Sequence, residues 1–143
     1  MDDENKFLSQ NIKGLMMDII GQWNVDMDRR QAETDFATIR PADQRLFGQL
    51  RGRPTPMVLL HKQLGITRQA AHNAILRLVD HGVVQIVETP ENQKQKTVVV
   101  TEKGQELRKL AADSIKKIEE DCAERLGQDR VETLRAILRE LKN

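Results

Sequence analysis

Four long polar side chains, Arg68, Gln69, His72 and Asn73, stand between Thr67 and Gly82 at spacings that an α-helix gathers on one face. Ala71, Ala74, Ile75, Leu78 and Val79 take the opposite face. An arginine bonds guanine through two parallel hydrogen bonds, and glutamine or asparagine bonds adenine in the same way. Arg68, Gln69, His72 and Asn73 are therefore the residues expected to read base edges, with His72 able to donate to guanine or to phosphate. Thr67 is placed to cap this helix, whose first N–H groups suit a phosphate. Arg77 lies further along the helix, where a phosphate is the natural partner. Arg51, Arg53, Lys62, Lys94 and Lys96 complete the cations expected to neutralise phosphates. A solvated helix face is the competing reading of the same side chains.

Catalysis finds little support in the inventory. The three histidines, His61, His72 and His81, have spacings that fit neither a paired helical metal site nor a facial triad. No glycine-rich phosphate loop is present. The single cysteine, Cys122, has no histidine near it in sequence and lies on an apolar stripe, so a packing thiol is expected rather than a sensor. It also excludes an intrachain disulfide and a cysteine zinc cage. No metal or other cofactor is expected.

Positioning the polar helix requires several further elements. Residues 5–34 read as one long helix or two short ones, with Ile12, Met16, Ile20, Trp23 and Met27 on one stripe. Arg40-Pro41 opens another helix, burying Leu46, Phe47 and Leu50. Thr55-Pro56 is expected to start a short helix, with Thr55 as its cap, and Gly65 to end it. The turn into Thr67 is very short, so two helices meet as a helix-turn-helix. Val83–Val87 and Thr97–Thr101 read as strands on either side of a polar turn, a hairpin that forms a wing. A long helix over about 102–125 carries Leu107, Leu110, Ala111, Ser114, Ile115, Ile118 and Cys122 on its stripe. Gly127 breaks it, and Asp129 is expected to cap a last helix bearing Val131, Leu134, Ile137, Leu138 and Leu141.

The resulting class is mainly α with a small β-hairpin wing. A winged helix-turn-helix lobe over residues 40–103 lies between helical dimerisation segments at 1–39 and 104–143, in one intertwined domain. The chain has 143 residues, enough for one domain with a real core. Its overall charge of +1 hides an uneven distribution. Residues 1–39 hold 4 Lys/Arg against 8 Asp/Glu, residues 40–103 hold 10 against 5, and residues 104–143 hold 9 of each. A basic centre between non-basic ends suits an anion-binding module. The acidic start carries no secretory signal, and no apolar run is long enough to span a membrane, so a cytoplasmic protein is expected.

The order of elements, with three segments, resembles the multiple-antibiotic-resistance regulator (MarR) family of winged-helix transcription factors. The segments are Leu60-His61-Lys62-Gln63-Leu64-Gly65-Ile66-Thr67, Ile75-Leu76-Arg77-Leu78-Val79-Asp80-His81-Gly82-Val83-Val84 and Val100-Thr101-Glu102-Lys103-Gly104. The last is similar to the family's leucine-threonine-x-x-glycine after the wing. Three departures stand out. His61 replaces a small residue opposite the recognition helix. Ile86 and Asn92-Gln93-Lys94 stand where the family carries arginines. Arg40 replaces a capping threonine.

The resemblance implies a homodimer that binds a pseudo-palindromic operator on double-stranded DNA, in many members a repressor released by a small molecule. Trp23, Met27 and Phe47 are the expected walls of an effector pocket. Ile12, Met16, Ile20, Leu110, Ile115, Ile118, Leu134, Ile137, Leu138 and Leu141 are expected at the dimer interface. The alternative is a non-enzymatic winged-helix adaptor dimer that binds a protein. Against it stands the polar set Arg68, Gln69, His72 and Asn73, since a protein-binding face favours aromatic and aliphatic anchors.

Overall fold

A computed structural model describes residues 2–89 and 92–142, with the side chains of all except Thr89, Asn92, Gln93 and Lys94. The elements run α1 (Asp2–Gln10), α2 (Ile12–Gln31), α3 (Pro41–Gln49), β1 (Thr55–Pro56), α4 (Met57–Leu64), α5 (Arg68–Asp80), β2 (Val84–Thr89), β3 (Asn92–Val100), α6 (Glu102–Leu126) and α7 (Gln128–Lys142). This is a mainly α fold with a three-stranded antiparallel sheet in the order β1-β3-β2. The chain forms two compact units, one of Gln31–Ala111 and one of Met1–Arg30 with Ala112–Asn143.

The first unit is the winged helix-turn-helix lobe. Leu60, Ile75, Leu78, Val83, Val84, Val98 and Leu107 are fully buried in it, with Phe36, Ile39, Leu46, Phe47, Leu50, Ala71 and Ala74 around them. The core thus draws Phe36 and Ile39 from before α3 and Leu107 from the first turns of α6.

Gly65 ends α4 at φ 67, a left-handed conformation that costs a residue with a Cβ roughly 1–2 kcal/mol. The Gly65 and Ile66 N–H groups return to the Lys62 and His61 carbonyls, closing α4. Thr67 then caps α5, its hydroxyl accepting from the Ala70 N–H at 3.0 Å. At the far end of the wing, Thr101 performs two tasks. Its hydroxyl donates to the Gly82 carbonyl at 2.6 Å and accepts from the Gly104 N–H at 3.0 Å. It thereby caps α6 and ties it to the end of α5. Gly104 cannot carry a side chain here, because a Cβ would lie 2.1 Å from the Val83 carbonyl oxygen.

The structure revises several sequence expectations. Thr55-Pro56 does not open a helix. It forms β1, pairing with Val98 and Thr97 of β3, and the Thr55 hydroxyl donates to the Arg53 carbonyl instead of capping α4. Pro56, lacking an N–H, is tolerated on an edge strand, and its extended backbone (φ −61, ψ 132) starts α4 one residue later. Of the two readings of the N-terminal segment, one long helix or two shorter ones, the structure has two, α1 and α2, divided at Asn11. The Asn11 side chain accepts from the Gly14 N–H at 2.8 Å and so caps α2. Asp129 lies inside the first turn of α7, where a carboxylate favours the positive end of the helix. The hairpin strands are longer than expected, since their ladder continues outward through Glu88 and Lys96.

The second unit contains α1, α2, the distal part of α6 and α7. Ile118 and Val131 are its buried apolar residues, while Ile12, Met17, Ile20, Ile137 and Leu141 remain well exposed. Arg135 of α7 pairs with Glu119 of α6 and with Glu132 on its own helix. No helix among the described residues is long and apolar enough to cross a membrane.

Candidate nucleic-acid interface

α5 packs its Ala71, Ala74, Ile75 and Leu78 face into the lobe and exposes Arg68, Gln69, His72 and Asn73. The helix period alone accounts for this division. Gln69 and Asn73 are joined, the Gln69 amide donating to the Asn73 side-chain oxygen at 3.0 Å. The pair leaves an acceptor on Gln69 and donor hydrogens on Asn73, the complement to an adenine edge.

Beside this face lies an open groove of about 370 Å³. Its floor is Met57, Leu60 and Ala71, and Arg68, Gln69, His72 and Lys96 stand along it. The groove therefore brings Lys96 of β3 next to three of the expected base-reading residues, which no sequence spacing reveals. Lys96 is also opposite Glu88 in the strand ladder. His61 lines the groove as well, and its Nδ1 is buried with no hydrogen-bond partner.

The remaining cations lie on different elements. Lys62 is exposed on α4. Arg51 and Arg53 are exposed in the loop after α3, where Arg51 holds a positive φ of 55. The Lys94 side chain lies outside the described residues. Thr67 has committed its hydroxyl to the cap, although its backbone stays at the helix start. Arg77 differs most from its sequence expectation. Its Nε and Nη2 donate to the two Asp43 carboxylate oxygens at 2.8 and 3.0 Å, so two of its donor sites face α3 and not solvent.

Asp43 is absent from the sequence-derived site, yet among the described residues of the lobe its carboxyl and the Arg77 guanidinium are the groups whose ionisation is shifted. Asp43 is 2% exposed. Hydrogen bonding from Arg77 holds its carboxyl below the usual range, outweighing burial, which pushes the other way; the charges of Arg77 and Arg40 add to the lowering. A signal was present: Asp43, Leu46, Phe47 and Leu50 share one helical stripe, and an acidic residue in an apolar stripe calls for a partner. Arg40 supplies no side-chain cap to α3, and its guanidinium pairs with Asp43 at 3.5 Å.

For the expected effector pocket, Phe47 is a core residue at 3% exposure. Trp23 and Met27 belong to the other unit, where Trp23 is 36% exposed and Met27 half-buried. Of the expected interface residues, Ile118 is buried within the chain itself, and the other nine are exposed. Cys122 is a free thiol of intermediate exposure. Among the described residues, no cluster of three or more His, Cys, Asp or Glu side chains could hold a metal.

A capped polar helix, a two-residue turn before its cap and a hairpin beside it define a winged helix-turn-helix protein. Comparison with solved structures makes the fold more specific. FabT of Streptococcus pneumoniae, solved in complex with DNA, superposes with a TM-score of 0.76 at 15% identity, over 93% of this chain and 94% of that one. Wild-type MarR of E. coli in its apo form gives 0.73 at 18% identity, over 92% and 96%. A MarR family transcriptional regulator from Streptomyces coelicolor, in complex with DNA, gives 0.62 at 21% identity, over 89% and 81%. The fold is thus the MarR-type winged helix along nearly the whole chain. No model of a protein family matches the sequence, and no curated protein does.

Proposed function

We propose that this chain is a sequence-specific, DNA-binding transcriptional regulator that acts as a homodimer. One observation carries the reading: α5 exposes Arg68, Gln69, His72 and Asn73 together, beside a groove flanked by Lys96. Those groups match base edges and phosphates rather than an apolar partner surface. The MarR-type fold, found in solved complexes with DNA, supports it. In this reading α5 enters the major groove with Arg68, Gln69 and Asn73 on base edges and His72 on a base or phosphate. Thr67, Arg51, Arg53, Lys62, Lys94 and Lys96 serve the backbone, along with the part of Arg77 that Asp43 leaves available.

The homodimer is inferred from the second unit. Its helices bury few apolar residues and expose many, including Ile12 at 74%, Ile20 at 50% and Leu141 at 70%. Helical stripes of this kind interdigitate across a two-fold axis in an isologous interface. A dimer places two recognition helices on adjacent half-sites about 34–36 Å apart and calls for a pseudo-palindromic operator. Repression, with release by a small molecule bound near Trp23 and Met27, is the regulatory mode that fits this architecture.

Selection of duplexes from a random pool by the full-length chain tests the reading. The expected product is an inverted repeat with half-sites about one helical turn apart. Enrichment of no sequence over the starting pool would sink it.

A further inference from the structure

The polar set stands on the half of α5 that packs through small side chains, while Ile75 and Leu78 seat the other half in the core. Ala71 and Ala74 present single methyl groups to the lobe, so apolar packing beneath the polar set is shallow, and the deeper burial of Ile75 and Leu78 further along is non-directional in itself. A directional contact lies one turn beyond Asn73. Arg77 grips Asp43 of α3 through two parallel hydrogen bonds of 2.8 and 3.0 Å. The carboxylate is 3% exposed at its side chain, while the Arg77 side chain is 40% exposed, so a buried anion on α3 holds a half-exposed cation on α5. A buried ion pair adds little net stability compared with apolar packing, but its planar fork fixes both distance and orientation.

We propose that Asp43 is a positioning residue for DNA recognition: through the fork to Arg77 it sets the rotation of α5 and restrains the Arg77 charge from the phosphates. The proposal rests on the DNA-binding reading. Asn73 and Arg77 occupy one edge of α5, so a turn of the helix about its axis moves the Gln69–Asn73 pair with it. Arg40, 62% exposed, also spends part of its charge on Asp43. A neutral residue at position 43 would release both guanidinium groups toward DNA and leave α5 without its directional contact. Specific and nonspecific binding should then move in opposite directions, which loss of folding alone cannot produce.

The experiment compares the full-length wild-type chain with Asp43→Asn and Arg77→Lys. Each is titrated against the best duplex that the wild type enriches and against a random-sequence duplex of equal length, over a salt series, beside a thermal melt. For Asp43→Asn, the log–log salt slope on random duplex should steepen by about 1 for each guanidinium released to a phosphate. Its preference for the enriched duplex should fall about tenfold. Arg77→Lys keeps the charge but cannot form the fork. Its preference should fall by a similar factor while the melt stays near wild type, so this arm carries the test if Asp43→Asn does not fold. Unchanged preference in a folded variant, or losses on both duplexes that only follow the melt, would overturn the proposal. If the wild type itself enriches no duplex, the DNA reading fails first, and this inference falls with it.

Discussion

Arg68 and Asp43 show how two charged residues in one lobe take different roles. Arg68 begins α5, exposed and beside the groove, where its fork is available to a guanine. Replacing it with alanine is expected to relax base preference at one position of each half-site and to cost about 1–3 kcal/mol there. A selection experiment with Arg68→Ala checks this, and an unchanged motif would remove its assigned role. Asp43 is closed off from water by α3 and α5, and its effect appears in acid. Its folded carboxyl titrates below the ordinary value because Arg77 and Arg40 favour the charged form. The stability it contributes is therefore present above the unfolded aspartate value of about 4 and is lost as pH falls through the lower folded value. Denaturant unfolding of wild type and Asp43→Asn should show their stability difference shrinking as pH drops from about 6 to about 2. A difference that stays constant over that range would show that the carboxylate's charge is not what matters.

The wing and the turn depend on backbone geometry more than on side-chain contacts. Gly104 sits where Val83 crosses the start of α6, and the 2.1 Å approach leaves no room for a methyl group. Gly104→Ala is expected to force α6 away from the end of α5 and destabilise the lobe by about 1–3 kcal/mol or more. Gly65→Ala meets no neighbouring atom, and its cost is conformational, about 1–2 kcal/mol from the left-handed backbone. Gly104 has no positive φ and lies within α6, so a Gly104→Ala melt unchanged or raised would mean that the steric approach adds nothing. For the wing, Lys96 stands opposite Glu88 in the ladder. Glu88→Gln should tighten binding to random duplex and steepen its salt slope by less than 1. No change at any salt concentration would place Lys96 away from the phosphate path.

At the scale of the whole molecule, the apolar stripes dominate the outcome. Ile12, Met16, Ile20, Leu134, Ile137 and Leu141 are 41–74% exposed in the single chain. An exposed apolar surface of this extent marks an interaction site in a protein that stays in solution. Sedimentation at micromolar concentration should show a dimer, with no folded monomer appearing on dilution before the chain unfolds. Ile20→Glu should shift the chain toward unfolded monomer. A stable, folded monomer of the wild type would remove the dimer reading and with it the paired half-sites.

Sequence periodicity was sufficient for elements whose partner is the lobe's own core. The division of α5 into a polar set and a buried set and the caps at Thr67 and Gly65 follow from local rules, because helix period and cap geometry involve neighbours a few residues apart. The MarR-type order of elements was legible for the same reason. Thr55-Pro56 is ambiguous in sequence because a helix start and an edge strand can share a proline and a threonine, and only β3, some forty residues later, decides between them. Two contacts also escaped the sequence because they join distant residues. Lys96 reaches the groove beside Arg68 and His72 only through the hairpin's position on the lobe. Arg77 belongs to Asp43, thirty-four residues earlier, rather than to solvent. Charge type and helix face are local properties of a sequence, but the choice of partner for a long charged side chain is made by packing that brings two helices together.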